Sequence, residues 1–489
     1  MKKSVLLAAA FVALIATSCR KIEMDGGGST VVAPPTTPGV QTIILKGRID
    51  KDTVLREGNN YILSGIVYMV NNATMTVQPG VTVKGDYTGA NVAALVITRG
   101  AKLIADGTQE KPIVFTSNSP VPRSGDWGGI VLLGKASVNT AFSGTGGGTG
   151  IYQAEGGIDN SFGDGLAGGG TTPNDADNSG ILRYVRIEYA GYAYQPDKEL
   201  NSLTMCAVGS GTIIDYVQVT YAKDDAFEWF GGTVNCKHLI AYKTQDDDFD
   251  TDNGFSGKVQ FGIVLRDSTI ADISRSEAFE SDNDASGSTN SPQTRAVFSN
   301  MTVIGPRAVL SNNGNSLYLT AAQIRRNSGI SIFNSIFLGW PAGLLIDARN
   351  GRAVELNVLD STIRFKNNII AGCGPATGTD ASSYSFIAST ANASMWNTDS
   401  VKTFFGNSAF GNKVLTNVSD AKMIAPFSYS APDFLPFAGS NGNQDILNGA
   451  SFTDPKLTSG FNVVKFRGAC DAAGVDAFWW KGWTRFINN

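Results

Sequence analysis

The sequence predicts an all-β fold, a parallel β-helix that forms one long domain with long loops and a C-terminal cap. Short runs of alternating apolar and polar residues are broken by glycine, proline or asparagine, as in "YILSGIVYMVNNATMTVQPGVTVKGD" from Tyr61. No segment of comparable length has a 3.6-residue period, so the crossover helices of an α/β sheet are missing. A short apolar core also recurs along the chain, which is typical of a solenoid.

The repeat indicates how the coils align. Six copies of the core are "RYVRIEY" from Arg183, "DYVQVTY" from Asp215, "KHLIAYK" from Lys237, "SNMTVIG" from Ser299, "FNSIFLG" from Phe333 and "KNNIIAG" from Lys366. The second residue of each copy forms one column: Tyr184, Tyr216, His238, Asn300, Asn334 and Asn367. The shortest interval, 22 residues between Tyr216 and His238, approximates one coil of three strands and three turns. We expect stacked asparagines to satisfy backbone groups at a turn of the helix.

The N-terminus predicts export and a lipid anchor. Residues 1–18 have two lysines, an apolar run too short for a membrane span, and small residues before Cys19, like the lipobox of bacterial lipoproteins. Ordinary cleavage with an incidental cysteine is the alternative. Residues 19–42, rich in glycine, proline, serine and threonine, are predicted to be a flexible tether, and residues 43–489 the single β-helix domain.

Composition restricts the partners and the chemistry. Without Lys2 and Lys3, 37 basic and 43 acidic residues remain and form no basic stripe, so we expect no nucleic-acid partner. Export permits disulfides, but Cys206, Cys236, Cys373 and Cys470 have no CxxC spacing, and we expect buried thiols. The single histidine, His238, excludes histidine-rich metal sites, and its place in the repeat column favours a stacked turn residue over a general base.

An acidic and aromatic pattern returns three times, in "DDAFEWFGG" from Asp224, "DDDFDTDNG" from Asp246 and "SEAFESDND" from Ser276. Its columns are Asp225, Asp247 and Glu277; Phe227, Phe249 and Phe279; Glu228, Asp250 and Glu280; and Asp252 with Asp282, where the first coil has Phe230. Residues in one column are expected about 4.8 Å apart. Strand alternation predicts the phenylalanines inward and the acids outward. We call these three acidic segments the acidic ladder.

Stacked carboxylates repel each other, so something must compensate for their charge. Bound calcium suits acids, asparagines and turn carbonyls without histidine, and its predicted ligands are Asp225, Glu228, Asp247, Asp250, Asp252, Glu277, Glu280 and Asp282. The alternatives are basic partners, with Lys223, Lys243, Arg266 and Arg275 as candidates, or a solvated acidic face.

Several longer motifs resemble one family: "GAKLIADGTQEKPIVFTS", "GDWGGIVLLGKA", "LRYVRIEYAG", "DDAFEWFGGTVN", "DDDFDTDNGFSGKVQFGIVLRD" and the terminal "FRGA" and "GWTRF". They are similar to exported, often lipid-anchored proteins of Bacteroidota with a pectate-lyase-like, right-handed parallel β-helix. The likeness runs from about Tyr61 to Phe486 and implies this fold and an outer-membrane location, with no established reaction. Glu23 and Asp25 resemble the surface-export signal of such lipoproteins, so exposure at the cell surface is expected.

Two hypotheses for the function follow. The first is a lipid-anchored, non-catalytic surface protein that binds a glycan or another surface protein, or forms a coat. The second is a calcium-dependent polysaccharide lyase, or a glycoside hydrolase, acting on acidic glycans. A lyase needs a basic residue beside the ladder, and Arg266, Arg275 and Arg295 are near it in sequence. None of them lies in a motif that matches a known lyase, which favours the first hypothesis.

Two further segments are interpreted structurally. The glycine-rich stretch 144–180 lacks the strand-to-helix context of a phosphate-binding loop and is predicted to be a long loop over one face, where it could line a glycan groove. Trp479, Trp480 and Trp483 are predicted to belong to a cap, about residues 461–489, that closes the end of the coil stack, with a sugar-stacking platform as the alternative.

Overall fold

Strands in the computed structural model pair in parallel from coil to coil and wind as a right-handed parallel β-helix. The structure describes residues 39–195, 198–309, 314–374, 384–387 and 395–487. The predicted signal segment, Cys19 and most of the tether lie outside these ranges. Gln41–Asn489 form one compact unit, and the first strand begins at Thr42, the last residue assigned to the tether.

Three parallel sheets, named here sheets 1, 2 and 3, run along the helix. Two early strands, Thr42–Ile49 and Asn60–Met69, pair with each other and lead into sheets 2 and 3. Long strands that bend at a corner contribute to both sheet 1 and sheet 2: Gly180–Glu188, Ile213–Thr220, Asn235–Tyr242, Lys258–Leu265 and Val297–Ile304. Sheet 1 also contains Thr53–Leu55, Thr74–Val77, Lys102–Asp106, Ser331–Phe333 and Phe365–Lys366. Sheet 2 also contains Thr82–Gly85, Ile113–Ser117, Ile336–Leu338, Ile369–Ala371 and Lys413–Leu415.

Sheet 3 is the sheet that carries the acidic ladder. Its strands are Ala94–Ile97, Ile130–Leu133, Leu203–Cys206, Phe227–Phe230, Phe249–Asp252, Phe279–Ser281, Ala322–Arg325, Leu344–Asp347 and Tyr384–Ile387. Antiparallel hairpins in the described residues join Ala141–Phe142 to Gly148–Thr149, Tyr152–Gln153 to Leu166–Ala167, Ala193–Gln195 to Lys198–Glu199, and Met423–Ala425 to Asp433–Pro436. Short α-helices span Glu355–Leu359, Thr398–Phe405 and Gln444–Asn448, and 3-10 turns span Gly89–Asn91, Ser408–Phe410, Val418–Ala421, Gly439–Asn441 and Pro455–Leu457.

The predicted repeat column is the corner between sheets 1 and 2. All six of its residues have a left-handed backbone with φ between 50° and 59°, and Phe261 joins them at 63°. This conformation suits asparagine but costs energy for an aromatic residue. Stacking offsets that cost, because ring centroids lie 4.5 Å apart for Tyr184 and Tyr216, 4.2 Å for Tyr216 and His238, and 5.1 Å for His238 and Phe261. The column of turn residues is confirmed.

The interior of the helix is apolar and partly aromatic. Phe227, Phe249 and Phe279 are fully buried and stack with centroids 5.7 Å and 5.2 Å apart, so the prediction that they point inward is confirmed. Cys206, Cys236, Cys373 and Cys470 are buried free thiols, as expected. No helix within the described ranges is long and apolar enough to span a membrane.

The C-terminal segment covers the flank of the coils rather than their end. Outward side chains of sheet 2, such as Ile263, form a second apolar cluster together with Phe466, Trp479, Trp480 and Trp483. Trp483 packs edge-on against Tyr184 and Tyr216 at centroid distances of 5.8 Å and 6.1 Å. A cap over the end would leave this apolar flank in water, so the physical reason for the difference is burial. All three tryptophans are buried, which argues against the sugar-stacking alternative.

Close approach in this segment requires a glycine. Gly468 has φ of 82°, and a Cβ there would lie 2.7 Å from both Ile336 and Thr302. Its amide donates a 2.7 Å hydrogen bond to the carbonyl of Asn334 in the corner column. The "FRGA" motif therefore fastens the C-terminal segment, which we call the C-terminal arm (residues 461–487), to the corner of the helix.

Candidate acidic metal site

The acidic ladder is in register on the outer face of sheet 3. Backbone pairing places Phe227 opposite Phe249 and Phe249 opposite Phe279, and the neighbouring acids follow: Glu228 with Asp250, and Asp250 with Glu280. Phe230 pairs with Asp252, as the sequence predicts for the first coil. The alignment of the columns is confirmed, whereas their assignment to a metal stays a prediction.

Side chains at the start of these strands form a hydrogen-bonded chain from coil to coil. The amide of Asp225 donates to Oδ1 of Asn201 at 3.1 Å, and the amide of Asp247 donates to Oδ1 of Asp225 at 2.9 Å. The amide of Glu277 donates to Oδ1 of Asp247 at 2.6 Å. Each carboxylate thus supports the turn of the next coil.

The ladder is buried although it points away from the core. Asp225, Asp247 and Glu277 expose 7%, 4% and 2% of their surface, so a solvated acidic face is excluded for them. Part of the cover comes from the predicted glycine-rich loop, since Tyr152 stacks on Phe230 with centroids 4.8 Å apart. In the same loop, Ala154 belongs to the apolar cluster on this face. The prediction that segment 144–180 lies over one face is therefore confirmed.

Burial and mutual repulsion favour the neutral form of these carboxyl groups. Burial, followed by repulsion from neighbouring acids, raises the pKa of Asp225, Glu228, Asp247 and Asp250 well above the usual range. Burial also raises the pKa of Asp252 and of Glu277 to about 7. Without a bound cation, the ladder cannot carry its full negative charge near neutral pH.

Two groups of three predicted ligands bring their oxygens together on this face, and a third group, Asp224, Asp225 and Asp246, shares Asp225 with the first of them. Asp225, Glu228 and Asp250 each offer an oxygen within 4.8 Å of the others, and Asp247, Glu277 and Glu280 form a second such group. One oxygen in each of the first two groups, Oδ1 of Asp250 and Oε1 of Glu277, is buried without a hydrogen-bond partner. These groups, named here the upper cluster (Asp225, Glu228, Asp250) and the lower cluster (Asp247, Glu277, Glu280), contain six of the eight predicted ligands.

Arginines from the following coil neutralise the end of the ladder. Arg325 forms an ion pair with Glu280 and another, 2.9 Å long, with Asp282, which Arg326 also contacts at 2.7 Å. Sequence reasoning missed both arginines. The signal was present, because aligning "AAQIRRN" from Ala321 with "AFESDND" from Ala278 places Arg325 opposite Asp282.

The charged groups of the four predicted basic partners contact atoms other than the carboxylates of the predicted columns. Lys243 pairs with Asp267 at 3.0 Å, Arg275 donates to the carbonyl of Leu317 at 3.2 Å, and Lys223 lies beside Gly125. Arg266 is fully buried and pairs with Asp248 at 3.4 Å, outside the predicted columns. Among the described residues, no lysine or arginine nitrogen lies within 4.0 Å of a carboxylate oxygen of the upper cluster.

Arg266 instead acts as a brace inside the turns that carry the ladder. Its guanidinium donates to the carbonyl of Thr244 at 2.9 Å, to that of Asp246, and to that of Glu277 at 3.3 Å. The guanidinium therefore connects the backbones of two consecutive acidic segments. This position leaves it no access to a substrate.

A cleft of about 300 Å³ opens beside the lower cluster. Its lining includes Asp247, Glu277 and Glu280 together with Arg275 and Arg325. Arg295, the third candidate for a lyase base, lines a different cleft with Asn290 and Arg352. Of the predicted lyase arginines, only Arg275 reaches the acidic cleft.

His238 does not belong to this site. Its Nδ1 lies 2.7 Å from Oδ1 of Asp215, and its ring is stacked between Tyr216 and Phe261 in the corner column. The interpretation of His238 as a stacked turn residue is confirmed.

The chain is thus a right-handed parallel β-helix with a covered row of carboxylates on one of its sheets. The family model of the pectate-lyase-like β-helix domain matches residues 47–410, and the chain belongs to this family. Comparisons with curated proteins and with solved structures give no match.

Proposed function

We propose that this chain is an exported, lipid-anchored β-helix protein that binds calcium at the acidic ladder and serves a non-catalytic binding or structural role at the cell surface. One observation carries the calcium site: a buried oxygen without a partner in each carboxylate cluster, Oδ1 of Asp250 and Oε1 of Glu277. A buried polar atom of this kind costs free energy unless a ligand satisfies it. The upper cluster also has no basic partner within ion-pair distance among the described residues.

The clusters offer oxygen ligands only, which suits calcium rather than zinc. Calcium takes six to eight oxygen ligands at about 2.4 Å, so ligands on opposite sides of the ion lie about 4.8 Å apart. The oxygens of each cluster lie within that distance of one another. Neither cluster contains a histidine or a cysteine, which zinc prefers. Binding would also relieve the repulsion that raises the pKa of these acids.

Calorimetric titration of the purified, EDTA-treated protein with calcium tests the site. The variant Glu228→Gln with Asp250→Asn removes two ionisable ligands of the upper cluster, and Glu277→Gln with Glu280→Gln does the same in the lower cluster. We expect each double variant to lose the binding of its own cluster. The pair Asp106→Asn with Asp126→Asn, outside the ladder, is the matched control. Absence of calcium binding by the unaltered protein would disprove the metal proposal.

The proposed location rests on the N-terminal sequence. Cys19 follows a short apolar segment and small residues, and the resemblance to exported Bacteroidota lipoproteins supports an anchor in the outer membrane with the helix outside the cell. Cys19→Ala should release the protein from the membrane fraction. Protease treatment of intact cells separates surface exposure from a periplasmic orientation, because only an exposed helix is cleaved.

The second candidate is a calcium-dependent polysaccharide lyase, and one observation favours it. The cleft beside the lower cluster combines carboxylates with Arg275 and Arg325, which are the groups needed to hold a cation and take a proton. Against it, Arg325 is already paired with Glu280 and Asp282. Incubation with acidic polysaccharides and calcium distinguishes the two: unsaturated products that disappear in Arg275→Gln would establish the lyase, and calcium binding without product supports the binding protein.

A further inference from the structure

A second, oppositely charged cleft lies on the outer face of sheet 2, away from the acidic ladder. Its volume is about 850 Å³, and its lining includes Lys84, Arg123, Arg186 and Arg485, with Glu188 as the only acid. Four cations and one carboxylate leave a net of three positive charges. We call it the cationic cleft. In a chain with more acidic than basic residues, such a concentration of positive charge is a local feature.

The basic side chains come from separate parts of the chain. Lys84 pairs in register with Thr116, and Arg186 pairs with Val114, so the floor of the cleft consists of three successive coils of sheet 2. Arg123 belongs to the loop after the strand that contains Thr116. The remaining cation, Arg485, belongs to the C-terminal arm. The cleft therefore forms only when the C-terminal arm is packed against the coils.

One cation is held by its side chain and another by its backbone. Arg186 donates to Glu188 at 3.2 Å and to the carbonyl of Trp483 at 3.1 Å. The backbone of Arg485 is clamped by Gln218, whose side chain accepts from its amide at 2.8 Å and donates to its carbonyl at 2.9 Å. Glu188 therefore compensates the charge of Arg186, whereas the bonds to Arg485 involve only its backbone and leave its guanidinium charge in place. Repulsion from Arg485, together with the larger effect of burial, lowers the pKa of Arg186.

Most of the positive charge in the cationic cleft is not paired with an acidic side chain of the described residues. Within the described ranges, Lys84, Arg123 and Arg485 form no ion pair, and Glu188 forms one only with Arg186. Thr82 and Thr116 add hydroxyl groups to the floor. Positive charge held in a cleft concentrates anions, and guanidinium groups bind carboxylate and sulfate oxygens in pairs. A volume of this size accommodates a ligand of several rings rather than a single ion.

We infer that the cationic cleft binds an oligosaccharide that carries several carboxylate or sulfate groups. The oxyanions are recognised by the lysine and arginines, and the sugar hydroxyls by Thr82 and Thr116. This binding does not rest on the proposed calcium site, since the two sites use different residues on different sheets.

Binding of defined probes to the purified full-length protein tests the inference, with EDTA present so that calcium cannot bridge the ligand. The probes are a sulfated heparin hexasaccharide, an oligogalacturonate of similar length and a neutral dextran oligosaccharide. We expect one or both anionic probes to bind and the neutral one not to. Comparison of the two anionic probes shows whether the cleft prefers sulfate or carboxylate groups.

The decisive variant is Lys84→Gln with Arg485→Gln, because both side chains are exposed and unpaired within the described ranges. It should weaken anionic binding by about tenfold or more. Lys46→Gln with Lys51→Gln removes the same charge from exposed positions near the first strand and should change the affinity less than about twofold. Asp247→Asn with Asp250→Asn should leave this binding intact in EDTA.

Three results would overturn the inference. The first is no binding of either anionic probe, and the second is an equal loss in both lysine-containing double variants, which would indicate only long-range attraction. The third is binding to phosphatidylglycerol vesicles that is stronger than to the oligosaccharides and is lost in Lys84→Gln with Arg485→Gln, which would make the cleft a membrane contact.

Discussion

The backbone amide of Asp247 donates a 2.9 Å hydrogen bond to the carboxylate of Asp225 on the preceding coil. Asp225 therefore has two roles: it belongs to the acidic column, and it accepts a hydrogen bond that supports the turn of the next coil. Asn201 has the same role one coil earlier, with an amide oxygen in place of a carboxylate. The two roles of Asp225 can be separated by substitution.

Asp225→Asn should preserve the hydrogen bond and the stability of the calcium-free protein, because the amide oxygen replaces the carboxylate oxygen as it does at Asn201. Asp225→Ala leaves the buried amide of Asp247 without its partner and should lower the free energy of unfolding by about 1–3 kcal/mol. Urea denaturation in EDTA measures both. Equal destabilisation by the two variants would contradict the proposed hydrogen-bonding role.

The stability of the calcium-free protein should fall as pH rises from about 4 to about 7. Burial raises the pKa of Asp252 and of Glu277 to about 7, so the folded state holds protons that the unfolded chain, with ordinary carboxyl groups, has released. Their contribution to stability is present below the unfolded pKa and is lost as pH passes the folded pKa.

Melting temperatures in EDTA across this pH range measure the effect. Excess calcium should reverse the slope, because it binds the ionised carboxylates and its affinity rises with pH. Asp252→Asn together with Glu277→Gln should reduce the slope in EDTA, and the remaining ladder acids with raised pKa account for the rest. A melting temperature that rises with pH in the absence of calcium would show that other groups dominate.

Arg325→Gln should destabilise the calcium-free protein by about 2–3 kcal/mol, since Glu280 and Asp282 would lose a largely buried partner. Calcium should restore part of the loss by supplying positive charge to the lower cluster. Arg349→Gln is the matched control, because the side chain of Arg349 is 43% exposed against 22% for Arg325. Chemical denaturation with and without calcium compares them, and a similar small loss in both variants would count against the role of Arg325.

Trp483→Ala should lower the free energy of unfolding by about 3–5 kcal/mol, because the indole is fully buried against Tyr184 and Tyr216. Trp483→Phe keeps most of the contact and should cost less. Urea denaturation followed by tryptophan fluorescence is the measurement. If both variants unfold like the unaltered protein, the C-terminal arm does not contribute to the stability of the coils.

The sequence predicts best the positions that recur from one coil to the next. The columns that contain Tyr184 and Phe227 are visible because equivalent residues recur at similar positions. Phe261 was missed, because the copy that contains it, "QFGIVLR" from Gln260, lacks the Tyr, His or Asn that marks the column elsewhere. Arg325 was missed because its coil reverses the charge of the pattern while keeping its register.

Relationships between distant parts of the chain could not be predicted in this way. Nothing in the ladder itself indicates that Tyr152, far away in the chain, packs on Phe230 at this face. Likewise, alternation shows that Ile263 is apolar without showing that the C-terminal arm packs over it. Burial of the acids, and with it their raised pKa, depends on such long-range packing.

The free thiols are distributed along this one-dimensional stack. Cys206 and Cys236 lie in the middle coils, Cys373 near the end of the described coils, and Cys470 in the C-terminal arm. A buried thiol reacts only when its surroundings open, and a solenoid opens in units of neighbouring coils. The order in which these cysteines are alkylated during slow unfolding would therefore report the order in which the C-terminal arm and the coils unfold. No probe has to be added to the protein for this purpose.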